Sequence, residues 1–484
     1  MYTTPSAGDS APHLKRVLGQ WDLVLLFVVA VANLNIVPVV AAGGAITVWL
    51  WLLALVFFFW PQGIAVIELS HRYPGEGGVY LWTKQRFGPF HGFMSGWCYW
   101  TNNIFYIPTL LLYLVGISVY IGGARFHALG DNKVYVFSMA IALLAVLLAL
   151  NIRGLGVGKW VNNLGAVGTA VAAAALIGLA AVVLVQKGSS LRLANFRVAG
   201  ADWRLISSFG VICFALLGLE LASVMGDEIR DPRRTVPGAV LWGGVASGLL
   251  YIGATLAVLL ALPQKKIGAV QGILQAISSM AEGVGVGRIV PALALVLSIS
   301  IAGIASAWLS GSARIPFVAG LDRYLPAALG RLHPRFGTPY VALTVHAILS
   351  GLFVAMSFFG ATVEQAYKTM LDLAVVLNLV PFLYMYAVLI DLARSSAEGQ
   401  GRHSQSTLWL AGISGFLTTA IGMIVAFIPQ REGEPVWLFE TKLSAGCIFF
   451  LGLAAFFFFV YSRRKAADSA PQPVADYPLA GDTK

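Results

Sequence analysis

The chain has 484 residues, 58% of them hydrophobic and only 11% charged, with a formal net charge of +10 and a mean hydropathy of +0.79. A water-soluble domain of this size carries about 25% charged residues, so a soluble globular fold is excluded. The positive charge is spread over tails and short loops between apolar runs, which argues against a nucleic-acid partner.

Apolar runs of about 20 residues cross a bilayer as helices, and they recur from Trp21 to Tyr461. Short alternating strands of the barrel type are missing from the pattern. The expected fold is therefore all-α and polytopic, with the bilayer itself as a partner. Residues 1–20 read as a polar tail without a cleavable signal peptide. Twelve spans are expected, near 21–42, 46–69, 91–120, 134–151, 160–185, 205–226, 238–262, 289–318, 339–360, 368–392, 408–428 and 442–462. An even count puts both termini on one side. Lys and Arg are weighted toward that side, so it is expected to be cytoplasmic, in a plasma or inner cell membrane. Residues 463–484 form a second polar tail.

Two spans are interrupted. Span one contains VVAVANLNIVPVVAAGG, residues 28–44, with Asn33, Asn35 and Pro38 inside an apolar stretch. Proline removes a backbone donor, and the asparagine amides can bond freed backbone groups or a ligand. Span six reads LISSFGVICFALLGLELASVMG, with Gly210, Gly218 and Glu220. Breaks at corresponding positions of two halves mark the binding site of a secondary transporter, and spans one and six stand five apart. Unwound backbone at membrane depth is tolerated only under cover of protein or a cavity. A carboxylate at that depth is costly, so Glu220 should face the bundle interior. There it could bind a substrate amine, titrate, or brace the broken helix.

Other signals are plainer. Gly165, Gly168 and Gly178 in span five suit close helix packing. Cys98, Cys213 and Cys447 lie in apolar runs without metal or disulfide spacing. No P-loop, zinc-type HExxH or Rossmann fingerprint occurs, so no cofactor or metal is expected beyond a coupling ion. The seven histidines are scattered, which counts against a membrane enzyme, and no filter loop suggests a channel. Tyr384 and Tyr386 in span ten suit either an outer gate or an interfacial anchor.

Three stretches resemble the amino acid–polyamine–organocation transporter superfamily: IELSHRYPGEGGVYLWTKQRFGPFHGFMSGW at 67–97, FALLGLELASVMGDEIRDPRRTVPGAV at 214–240 and ARIPFVAGLDRYLPAALGRLHPRFGTPYVAL at 313–343. The resemblance covers about residues 15–462. It implies a ten-helix, five-plus-five inverted-repeat core of the leucine-transporter type over 21–392. Two additional helices would follow over 393–462. It also implies a central site between spans one, three, six, eight and ten. On that site it places Ala32, Asn33, Leu34, Asn35 and Ile36 of span one, and Asn103 and Tyr106 of span three. From span six it adds Phe214 as an aromatic gate, Ala215, Leu216 and Gly218 as unwound backbone, and Glu220. The loop residues Asp227, Glu228, Arg230, Asp231, Pro232, Arg233 and Arg234 would latch an inner gate. The family's Gly-Ser-Gly carboxylate grip is replaced here by Val31, Ala32 and Asn33, whose side chains resist an open backbone. The lysine that some relatives carry in span five is replaced by Thr169. Candidates for a coupling ion, Na+ or H+, are Thr169, Ser298, Ser300 and Ser306, besides Glu220. The serines could equally bond their own backbone. The expected activity is secondary transport of an amino acid by alternating access, without covalent chemistry. A polyamine or other organic amine is the alternative substrate, and the protein would act as a monomer or homodimer.

Overall fold

A computed structural model describes residues 20–189, 191–197, 203–224, 232–358, 362–395, 401–428 and 436–468, and among them there is no strand. Ten segments, from Trp21–Ala41 to Val436–Lys465, are long and apolar enough to cross a bilayer. Span nine is the shorter helix Tyr340–Ser357. Span six is divided into Trp203–Ala215 and Leu221–Val224. All twelve expected spans are thus helical. Short helices join some of them: Val79–Phe87 between spans two and three, and Gly272–Gly283 between spans seven and eight. The last helix runs to Asp468.

Alternating spans reverse direction, so span one enters from the face that holds the chain ends and span six enters from the opposite face. Two such sets of five helices, opposite in sense, make the inverted pair. Burial separates an inner from an outer ring. The apolar windows of spans three and one are 89% and 83% buried, against 22% for span twelve and 28% for span four. The outer ring turns residues such as Val185, Leu249, Ile424 and Ile448 outward, as lipid requires. Span three packs along span ten and span eight, span eight along span five, and span one along span seven.

Span two shows how backbone defects are repaired at this depth. It contains a π-type turn, Leu55–Phe59, just ahead of Pro61. Proline 61 has no N–H for the carbonyl of Phe57. Ser414 Oγ of span eleven donates to that carbonyl at 3.0 Å, and Tyr386 Oη of span ten donates to Phe58 O at 3.0 Å. The Tyr386 ring needs Gly415 opposite it, since a Cβ there would lie 2.1 Å from the ring. Tyr386 is fully buried against span two, and Tyr384 meets His91 at the start of span three, 3.1 Å away. Span ten runs toward the face of the chain ends, so both tyrosines lie in the half of the helix nearer that face.

Candidate functional site

The helix of span one stops at Val31 and resumes through the tight turn Leu34–Ile36 into Val37–Ala41. Pro38 stands at the start of that second helix, where a missing N–H costs nothing. Asn33 closes the break with its side chain: Nδ2 donates to Ala30 O at 2.9 Å and to Val31 O at 3.3 Å. Those are carbonyls that a helix end leaves without partners. Span six breaks differently. Its helix ends at Ala215 and restarts at Leu221, and Gly218 between them has φ +133°. A Cβ on Gly218 would lie 2.9 Å from the carbonyl carbon and oxygen of Ala30. The two breaks therefore touch, backbone to backbone, where only glycine fits.

Tyr251 of span seven ties them together. Its hydroxyl accepts the Asn33 N–H at 2.8 Å, and it reaches the carbonyls of both Ala215, at 2.7 Å, and Val31. A phenol has one proton, so it serves one carbonyl at a time. Trp51 stacks on the Tyr251 ring at 4.3 Å and anchors itself on Thr255 Oγ1 at 3.1 Å.

Glu220 is fully buried. Its Oε2 accepts from Gln62 Nε2 at 3.1 Å and from the Gly218 N–H at 2.9 Å, and its Oε1 accepts from Tyr99 Oη at 3.2 Å. These partners are neutral donors, and one of them is the broken backbone itself. The carboxylate braces the break while lying one ring away from an aromatic cluster. In that cluster Tyr106 meets Phe214 edge-on at 5.0 Å and Trp308 at 5.9 Å, and Trp308 meets Tyr99 at 6.3 Å. Asn35 lies beside the hydroxyls of Tyr106 and Tyr367, and Tyr367 Oη donates to Asn35 O at 2.9 Å. Both polar atoms of the Asn35 side chain, the Tyr106 hydroxyl and the Trp308 indole N–H make no hydrogen bond. Buried polar atoms seldom go unpaired, so a group of them between aromatic faces is a ready set of partners for a small polar ligand.

The remaining expected residues divide. Ala32, Leu34, Ile36 and Leu216 are buried at the breaks, but their N–H groups bond to nearby carbonyls, as in Ala32 N–H to Val28 O and Ile36 N–H to Asn33 O. Asn103 is buried in span three and turns its amide back to Tyr99 O at 2.9 Å. Of the hydroxyls considered for a coupling ion, Thr169 and Ser300 meet at 2.5 Å across spans five and eight. Ser298 bonds back to Ala294 O at 2.8 Å, and Ser306 accepts from Asn151 Nδ2 at 3.1 Å. Gly165 and Gly303 bring those two spans together; a Cβ on Gly165 would lie 2.7 Å from the Gly303 Cα. Gly168 faces Ser300 in the same seam, whereas Gly178 faces open space. Sequence reading missed Gln62, Tyr99, Tyr251, Trp308 and Tyr367. Each is a polar or aromatic residue inside an otherwise ordinary span, and its partner is far away in the chain.

The helices are tied together on either side of the breaks, and by different chemistry. On the face opposite the chain ends the segment between spans seven and eight is tied to the ends of spans one and three: Gln264 Nε2 donates to Ala42 O at 2.8 Å, and Tyr120 Oη donates to Gln271 Oε1 at 3.1 Å. On the face of the chain ends the ties are charged. Lys159 and Asn163 of span five hold Asp22 of span one at 3.5 and 2.9 Å. Arg314 pairs with Glu76 at 3.7 Å, both nearly buried. Lys84 pairs with Asp322 at 2.5 Å, and Tyr80 also donates to that carboxylate. Burial, and then the Asp322 charge, push the Tyr80 phenol far above its ordinary value. The loop residues Asp227, Glu228, Arg230 and Asp231 lie outside the described residues, while Pro232, Arg233 and Arg234 open the helix of span seven.

A family profile described as amino acid permease matches residues 18–463. An uncharacterized transporter of Legionella pneumophila is 28% identical, over 91% of this chain and 96% of its own. A probable agmatine/putrescine antiporter of Lactococcus lactis is 22% identical, over 91% and 93%. The solved structure of MhsT in complex with L-phenylalanine superposes with a TM-score of 0.64 at 14% identity, covering 85% of this chain and 99% of that one, and so shares the leucine-transporter fold. With twelve spans, two broken helices in contact and a profile that covers nearly the whole length, the chain belongs to the amino acid permease family of membrane transporters.

Proposed function

We propose that the protein is a secondary transporter that carries an amino acid or a closely related organic amine by alternating access, at the cell membrane and with both termini in the cytoplasm. The observation that carries the proposal is the contact of the two breaks at Gly218 and Ala30, beside a buried cluster of aromatic rings and unpaired amide and hydroxyl groups. Helix breaks at membrane depth are the usual place for substrate in transporters built from inverted repeats. Substrate at the contact would touch both halves, and a swing of one half against the other would expose it to each face in turn. Glu220 reaches the aromatic cluster through Tyr99. The Thr169–Ser300 pair is the favoured place for a Na+ ion. Counterflow uptake into proteoliposomes tests the proposal: saturable exchange of labelled substrate is expected, and linear uncoupled flux would point to a channel instead.

One observation favours the amine over the amino acid. The N–H groups of Ala32, Asn33, Leu34 and Ile36, which would have to grip an α-carboxylate, are bonded within the turn or to Tyr251. The aromatic cluster instead offers ring faces and acceptors, which suit an ammonium group. The likeness to a probable agmatine/putrescine antiporter agrees with that choice. A thermal-shift screen of purified protein against amino acids and amines, with and without sodium, separates the two, since a ligand of the folded state raises its apparent stability.

A further inference from the structure

Spans three, nine and twelve do not close on one another. Between them lies a groove of about 440 Å³. Span nine gives it Val341, Val345, Leu349 and Phe353, which share one helix face at steps of four residues. Rings from the neighbours, Trp97 and Trp100 of span three and Phe450 and Phe457 of span twelve, make the other walls. Along span nine the groove is roughly 18 Å long at about 1.5 Å per residue, little more than half of a hydrocarbon core about 30 Å thick. It therefore belongs to one leaflet. Leu325, Pro326 and Leu329, in the loop between spans eight and nine, line its end. That leaflet is thus the one on the side of the chain ends.

The polar side-chain atoms of its walls are spent, with one exception. The Trp100 N–H donates to His346 Nδ1 at 3.1 Å, and the Thr101 hydroxyl to Trp97 O at 2.8 Å. The Trp97 indole N–H is buried without a hydrogen-bond partner. It can only donate, so an otherwise apolar groove lacks one acceptor. Positive charge collects at the end of the groove nearest the chain ends. Phe457 stacks on Tyr461 at 6.3 Å, and Arg464 lies over the Tyr461 ring at 5.5 Å. Lys465 Nζ donates to Asp322 O at 3.0 Å, which sets the end of span twelve beside Arg323. Arg331 follows Leu329 by two residues. Arg323, Arg331, Arg463 and Arg464 are exposed and make no ion pair among the described residues.

We propose that the groove binds an anionic phospholipid of that leaflet. An acyl chain lies between spans three, nine and twelve, an ester carbonyl accepts the Trp97 N–H, and the phosphate sits among Arg323, Arg331, Arg463 and Arg464. Basic clusters next to a membrane helix attract anionic headgroups, and the groove adds a seat for the chain. A second copy of this protein fits less well, because a two-fold axis normal to the bilayer would bring the arginines of both copies together. The lipid would clamp span twelve to the Asp322 loop, which Lys84 and Tyr80 tie to the helix before span three. The site does not depend on what the protein carries. Native mass spectrometry of the purified full-length protein tests it, with dioleoyl phosphatidylglycerol against dioleoyl phosphatidylcholine, which share their chains and differ in net charge. Wild type should hold one phosphatidylglycerol about tenfold or more tighter. Arg463→Gln with Arg464→Gln should remove most of that preference, since each basic residue near a headgroup contributes about fivefold. Leu453→Trp, which fills the groove and leaves every charge in place, should remove it as well. Lys265→Gln with Lys266→Gln, exposed on the opposite face, should leave it unchanged. Equal binding of the two lipids by wild type overturns the site. A Leu453→Trp variant that still prefers phosphatidylglycerol also overturns it, because the attraction is then to charge alone. A stable dimer without bound lipid gives the groove to a second copy and overturns it too.

Discussion

The breaks in spans one and six do the same job by opposite means. Span six yields to geometry: Gly218 has a backbone conformation and a clearance that no side chain permits. Span one has no glycine at its break. The Asn33 amide caps the loose carbonyls, and Tyr251 takes up its N–H. An inverted repeat therefore does not require the same residues in its two halves. It requires that freed backbone groups find partners, and one half can take those partners from side chains.

The contrast can be broken most forcefully at Gly218. Gly218→Ala should cost about 3 kcal/mol, from strain at positive φ and collision with the Ala30 backbone. It should abolish uptake and lower the melting temperature of purified protein; a variant with wild-type uptake would show that span six does not depend on clearance. Glu220→Gln comes next. It replaces one carboxylate oxygen by an amide N–H₂, so either Gln62 and Gly218 or Tyr99 loses its acceptor, at a cost of about 2 kcal/mol. Uptake should fall at least tenfold, and more for an amine than for a neutral amino acid. Tyr251→Phe sharpens the comparison because its hydroxyl serves both breaks. A loss of about 1.5 kcal/mol is expected, with the stacked ring retained on Trp51, measured by thermal unfolding. The smallest effect belongs to Asn33→Ala, about 1 kcal/mol by analogy with the loss of a helix cap. If Asn33→Ala proved more damaging than Gly218→Ala, the assignment of cap and clearance to the two halves would be reversed.

The sequence revealed the twelve spans because bilayer thickness imposes a run length that composition alone can meet. It revealed the breaks because proline, glycine and a lone glutamate are conspicuous in apolar text. It was silent on Gln62, Tyr251 and Trp308, which look like ordinary members of their spans. Their importance comes from partners 158 residues away for Gln62 and 218 for Tyr251. The hydroxyl of Thr169 was noticed as a substitute for a lysine, but its partner Ser300 could be found only once Gly165 and Gly303 were seen to draw the two spans together.

The ties on the two faces respond to different solvents. The segment between spans seven and eight is held by amide and phenol contacts without net charge, which dissolved salt hardly touches. The opposite face depends partly on Lys159 and Asp22, 27% and 20% exposed, within reach of counterions whose screening length is about 10 Å at 0.1 M. Raising the ionic strength therefore loosens one door and leaves the other shut, so that electrolyte alone tilts the resting population toward the side where the chain begins and ends.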